Sequence, residues 1–121
     1  MEKVSDEVKL ESIKSFQSTI SKSENGLAQM IQKGASTTLI KKRLNALKIG
    51  LAMLENTWNQ KPQMYNQKDI AEARSILDGL FPSMEKAYVK LKEGSPQRTL
   101  LERRIKAIEL AVQAIDDFTK N

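Results

Sequence analysis

The chain contains neither cysteine nor histidine. The first absence rules out disulfides, thiolate zinc sites and thiol nucleophiles; the second removes the commonest metal ligand and general base. Aromatic residues number one Trp, two Tyr and three Phe, too few for a stacking platform on single-stranded nucleic acid. The five glycines are dispersed at positions 26, 34, 50, 79 and 94, so no Gly-rich phosphate loop exists. Four of them read as breaks or helix ends, and Gly50 as a close contact between helices. No apolar run approaches the ~18 residues of a membrane span, and none follows the first few residues. The expectation is a soluble, cytoplasmic protein with no membrane association, no cofactor, no metal-binding residues and no catalytic residues.

What is present specifies an architecture. At 121 residues and 13.7 kDa the chain is expected to form a single domain over residues 1–121, able to bury about two thirds of its extended surface. Hydrophobic residues make up 40% and charged residues 29%, a balance that folds rather than staying disordered. Ile40, Leu44, Leu47, Leu51, Leu54 and Trp58 recur at gaps of four and three, a single helical stripe. Ser36 or Thr37 is placed to cap it and Pro62 to bar its continuation, which predicts a helix over about residues 37–60. Leu101, Ile105, Ile108, Val112 and Ile115 repeat the pattern, with Ala107, Ala111 and Ala114 beside them. The run of Gly94, Ser95 and Pro96 writes its start: helix stop, N-cap and first helical residue.

A first helix is read from Leu10, Ile13, Gln17, Ile20, Glu24, Leu27 and Ile31, with Ser5 at its start and Gly34 at its end. A third comes from Ile70, Ala73, Leu77, Leu80, Met84, Ala87 and Leu91, capped by Asn66. Its phase persists through Pro82, so one helix kinked near residues 79–82 is expected. Met53 and Met84 read as core filler, and Trp58, Met64 and Tyr65 as a core cap.

The chain also overlays on itself. An offset of 60 pairs Leu10 with Ile70, Ile13 with Ala73, Ile20 with Leu80, Leu27 with Ala87, Ile31 with Leu91 and Gly34 with Gly94. After the turn the offset becomes 61, setting Leu39 over Leu100, Arg43 over Arg104 and Ala46 over Ala107. Each unit carries an apolar stripe that it cannot bury alone. Two tandem αα-hairpin repeats, about residues 6–60 and 67–119, are expected to pack as an all-α, antiparallel, up-down-up-down four-helix bundle.

Charge is unevenly placed. Between residues 25 and 54 there is no acid, while Lys33, Lys41, Lys42, Arg43 and Lys48 give +5; residues 86–106 also carry a net +5. Both stretches lie at hairpin tips, which the bundle topology puts at one end. Glu2, Asp6, Glu7, Glu11, Glu55, Asp69, Glu72, Asp116 and Asp117 are expected at the other. Lysines ending the first and third helices suit the helix dipole. Cations opening the second and fourth helices oppose it, as do Asp116 and Asp117 near a helix C-terminus. Lys41, Lys42, Arg43, Arg98, Arg103 and Arg104 are therefore the candidate anion- or partner-binding residues. The reading that follows is a non-enzymatic protein-interaction module of regulatory, adaptor or immunity type, with a protein as partner. The alternative is binding of nucleic acid or another polyanion through the basic end.

Overall fold

The computed structural model describes residues 3–120. Among these there is no strand, and five helical segments follow one another: α1 (Asp6–Lys33), α2 (Thr38–Asn59), α3 (Gln67–Asp78), α4 (Phe81–Lys90) and α5 (Pro96–Thr119). Their ends follow local chemistry. The Val8 amide donates to Ser5 Oγ at 3.2 Å, the Asp69 amide to Asn66 Oδ1 at 2.8 Å and the Arg98 amide to Ser95 Oγ at 3.3 Å, each satisfying an amide left free by the first helical turn. Gly34 and Gly94 take φ of 72° and 81°, the left-handed turn that glycine enters without a Cβ penalty. At the start of α2 the expected cap is missing, because neither Thr37 nor any other side chain accepts an amide there.

The segment expected as one kinked helix is divided at the expected place. α3 stops at Asp78 and α4 begins at Phe81. Gly79 and Leu80 both stay in the right-handed helical region, so the chain turns little, but the ladder lapses into a tighter turn in which the Leu80 amide donates to Leu77 O at 3.1 Å. Pro82 explains the interruption: it brings no N–H and its ring excludes the carbonyl four residues back.

One core draws on every segment: Phe16 from α1, Leu47, Ile49, Met53 and Leu54 from α2, Ile70 and Leu77 from α3, Met84 from α4, and Ile108, Leu110 and Ile115 from α5. α2 packs against α1, α3 and α5, while α4 packs chiefly on α5. This is why the buried face of α2 is wider than its stripe and takes in Ala46, Ile49 and Met53. In α1 the expected stripe is out of phase: Leu10 is 55% and Ile31 60% exposed, whereas Ser12 and Phe16 are buried. The ring of Phe16 has more area to hide than any aliphatic neighbour, so it sets the rotation of the helix. Trp58 and Tyr65 pack on the core as expected, but Met64 is 93% exposed. The surface of 7873 Å² exceeds the ~6,600 Å² of a rounder monomer of this mass, as long helices laid side by side require. No helix among the described residues is long and apolar enough to cross a membrane.

Candidate functional site

The six candidate cations do not form one cluster. Lys41 and Lys42 open α2 on the side of α3, in a groove shared with Asp69 and Glu72. Arg98 lies with its guanidinium 4.3 Å from the centroid of the Tyr88 ring, a cation–π contact. The Tyr88 hydroxyl in turn donates to Glu102 at 2.6 Å, and that bond, with Arg98 pulling weakly the other way, raises the phenol above its ordinary range. Arg103 reaches across to α1 and pairs with Glu11 at 3.2 Å.

Arg43 and Arg104 behave differently. They come from α2 and α5 to line one pocket of about 220 Å³ lying among four segments of the bundle. α1 contributes Thr19 and Ser23, α2 adds Leu47, the α3–α4 junction adds Gly79, Leu80, Ser83 and Met84, and α5 adds Ile108. No carboxylate lines it. Neither arginine has an ion-pair partner among the described residues, and the Nε of Arg104, like that of Arg98, is shielded from solvent without a hydrogen-bond acceptor. Arg43 stands at the exposed rim. The Thr19 hydroxyl is committed, donating to the Ser15 carbonyl at 2.8 Å, whereas those of Ser23 and Ser83 have no partner among the described residues.

On the other side of Arg104 runs a groove between α1 and α5 of about 290 Å³, where Lys14, Lys22, Arg103 and Arg104 stand beside Ser15 and Ser18, with Glu11 the one carboxylate. Arg43 and Arg104 were legible through their matched positions in the overlay. Ser23, Ser83, Lys14 and Lys22 were missed. The serines stand at the same offset of 60, which comparison of apolar positions alone passes over.

The misplaced acids and cations are partly answered by neighbours. Asp116 accepts two hydrogen bonds from Arg74, at 2.7 and 3.2 Å; these bonds hold its carboxyl below the usual range against the opposing effect of burial, and raise the Arg74 guanidinium correspondingly. Glu24 pairs with Lys48 at 3.6 Å and Glu55 with Lys61 at 2.9 Å. Asp69, Glu72 and Glu11 lie beside cations rather than gathered at one end, and Glu2 lies outside the described residues. Among the described residues no three carboxylates converge into a group able to hold a metal ion.

No family model, curated protein or solved structure matches the chain.

Proposed function

We propose that the protein is a non-catalytic helical binding module that engages an acidic protein surface through its basic hairpin tips. The observation that carries this reading is the exposure of Leu39 and Leu100, at 60% and 56%. They occupy equivalent positions in the overlay, and each stands four residues, about one helical turn, before an arginine of the shared pocket. Of seven large apolar side chains exposed among the described residues, four lie at the two tips: Ile31, Leu39, Val89 and Leu100. Scattered apolar residues are ordinary on a surface, but their recurrence at both hairpin tips, among Lys41, Lys42, Lys90 and Lys92, is the pattern of a docking patch with a basic rim,. An acidic partner supplies the complementary charge.

Within each hairpin the contacts run oppositely along the sequence, Gly50 against Phe16 and Gly26 against Ile40 between α1 and α2, and Arg74 with Asp116 and Tyr88 with Glu102 between α3–α4 and α5, whereas between the hairpins Gly50 meets Leu77 and Lys41 and Lys42 lie beside Asp69 and Glu72, which run in the same direction on α2 and α3. A non-catalytic role is favoured by the resolved pKa displacements, which belong to Arg74, Tyr88 and Asp116 and each come from an ion pair or hydrogen bond between side chains,. The α1–α5 groove, with four cations and one carboxylate already tied to Arg103, favours a second reading as a polyanion or nucleic-acid surface.

Capture from a nuclease-treated lysate separates the two. Wild type is expected to retain a discrete protein that the Leu39→Glu, Leu100→Glu variant loses, with both proteins equally helical by circular dichroism. Loss of every partner on nuclease treatment, or equal capture by the variant, overturns the protein-binding reading. A salt-sensitive shift of labelled RNA or DNA, abolished by Lys14→Gln, Lys22→Gln, would support the second.

A further inference from the structure

The residues of the four-segment pocket bear a regular relation to one another. Thr19 and Gly79, and Ser23 and Ser83, are separated by 60 positions; Arg43 and Arg104, and Leu47 and Ile108, by 61. Eight of its ten lining residues thus fall into four pairs related by the same offsets that overlay the two halves of the chain. A pocket composed in this way lies where the two hairpins face each other, and is lined by the same chemistry from both: one arginine and one serine from each half, with Arg43 and Ser83 on its exposed side.

That chemistry is unbalanced as it stands. Two arginines line a pocket with no carboxylate, and Arg104 has given up the hydration of its Nε with no acceptor in return; a desolvated donor without a partner is unfavourable. The hydroxyls of Ser23 and of the exposed Ser83 have no hydrogen-bond partner among the described residues. α4 begins at this pocket without a side-chain cap, so the positive end of its dipole lies beside the same space. All these features are donors, and all are relieved by one kind of ligand. We propose that the pocket binds a small tetrahedral oxyanion of the phosphate class, held between Arg43 and Arg104 with hydrogen bonds from Ser23 and Ser83, and that this anion joins the two halves of the bundle.

Size narrows the ligand further. The volume of about 220 Å³ far exceeds the space a single water needs but falls below the ~300 Å³ at which pockets for drug-sized ligands begin. A free phosphate or the phosphate of a small monoester fits this description; a nucleotide does not. The leucine, isoleucine and methionine side chains of the lining lower the local dielectric around the guanidinium forks and strengthen their bonds to the anion. This site does not depend on the protein-binding reading, since it lies within the bundle rather than on its tips.

The test is titration of the full chain with inorganic phosphate at constant ionic strength, by calorimetry and by thermal melting followed through Trp58, with chloride as the blank and glycerol phosphate as the esterified arm. Wild type is expected to bind one phosphate saturably and to melt higher with it. Arg104→Met is expected to lose binding entirely, Arg43→Met and Arg104→Lys to weaken it at least tenfold, and Ser83→Ala severalfold, whereas Lys61→Gln, whose lysine pairs with Glu55 instead, is expected to bind as wild type does. Without phosphate, Arg104→Met is expected to melt at or above the wild-type temperature, because it removes a buried donor that has no partner. Arg104→Lys keeps the charge and shortens the reach, so it reports on the site should the methionine variant not fold. Saturation by the monoester alone assigns the ligand to an esterified source. Absence of saturable binding by wild type to both, or binding that survives Arg104→Met, overturns the proposal.

Discussion

The ring of Phe16 occupies the space that a side chain at position 50 would need: a Cβ on Gly50 would lie 3.0 Å from Phe16 Cε1 and 3.1 Å from Leu77 Cδ1. Glycine at this point in α2 lets three helices approach one another, and a buried aromatic ring gives way less readily than the end of a flexible aliphatic side chain,. Gly50→Ala should gain about 1 kcal/mol of helix propensity but lose about 1–3 kcal/mol to overpacking, a net destabilisation of roughly 1 kcal/mol. Gly26→Ala is the control, since its Cβ would meet only the flexible end of Ile40 at 3.3 Å. Urea denaturation of both variants checks the contrast; equal stability of Gly50→Ala and wild type would show that the ring can move.

Gln60 ends α2 in the left-handed region, with φ of 55° and ψ of 27°, and is the one non-glycine residue with positive φ among those described. A side chain there costs about 1 kcal/mol relative to glycine. Gln60→Gly should therefore raise stability by about that amount, while Gly34→Ala and Gly94→Ala, where a Cβ would meet no atom within 4 Å, should lower it by a similar amount through backbone strain alone. Melting temperatures of the three variants measure backbone conformation free of packing. A fall in the melting temperature of Gln60→Gly would mean that its side chain makes a contribution larger than the strain.

The Arg74 and Asp116 pair makes stability depend on pH. Because hydrogen bonds from Arg74 hold the Asp116 carboxyl below its ordinary value, the contribution is fully present above the usual carboxylate value of about 4 and is lost as pH falls through the lowered value in the folded state. Both side chains are about two fifths exposed, at 41% and 40%, so screening limits the contribution to roughly 0.5 kcal/mol. Arg74→Met should be less stable than wild type by about that much at neutral pH, and the difference should close or reverse in acid. A difference that does not change with pH would mean that Arg74 acts through its aliphatic stem alone.

How far the fold could be read from the chain differs from helix to helix. In α2 and α5 the apolar gaps were unambiguous because each helix packs against several neighbours, and Leu47, Leu54, Ile108 and Ile115 are buried as their spacing predicts. In α1 the rule of counting apolar residues failed, because one buried phenylalanine outweighs two exposed aliphatic residues and Ser12 occupies a buried position that no hydrophobic pattern marks. The site was half legible. Matched arginines were visible because charge opposing a helix dipole is conspicuous, but serines carry no such signature, and only the packing of the segments brings Ser23 and Ser83 to the same space. Arg103, adjacent to Arg104 in sequence, is turned by the helix toward Glu11, a divergence that residue type alone does not express.

The interruption at Gly79 and Leu80 also determines which amides exchange with solvent. α4 is a ten-residue helix with Met84 as its one buried residue, and its Val89 is 76% exposed. Freed from the α3 ladder by Pro82, it can open at a cost well below that of unfolding the whole chain. Its protons should therefore exchange faster than those of α2 or α5 in deuterated buffer. Ser83 leaves the pocket whenever α4 opens, so phosphate should slow exchange across Phe81–Lys90 more than anywhere else. In the Arg104→Met variant that slowing should vanish, which turns the least anchored helix of the bundle into the recorder of what the pocket holds.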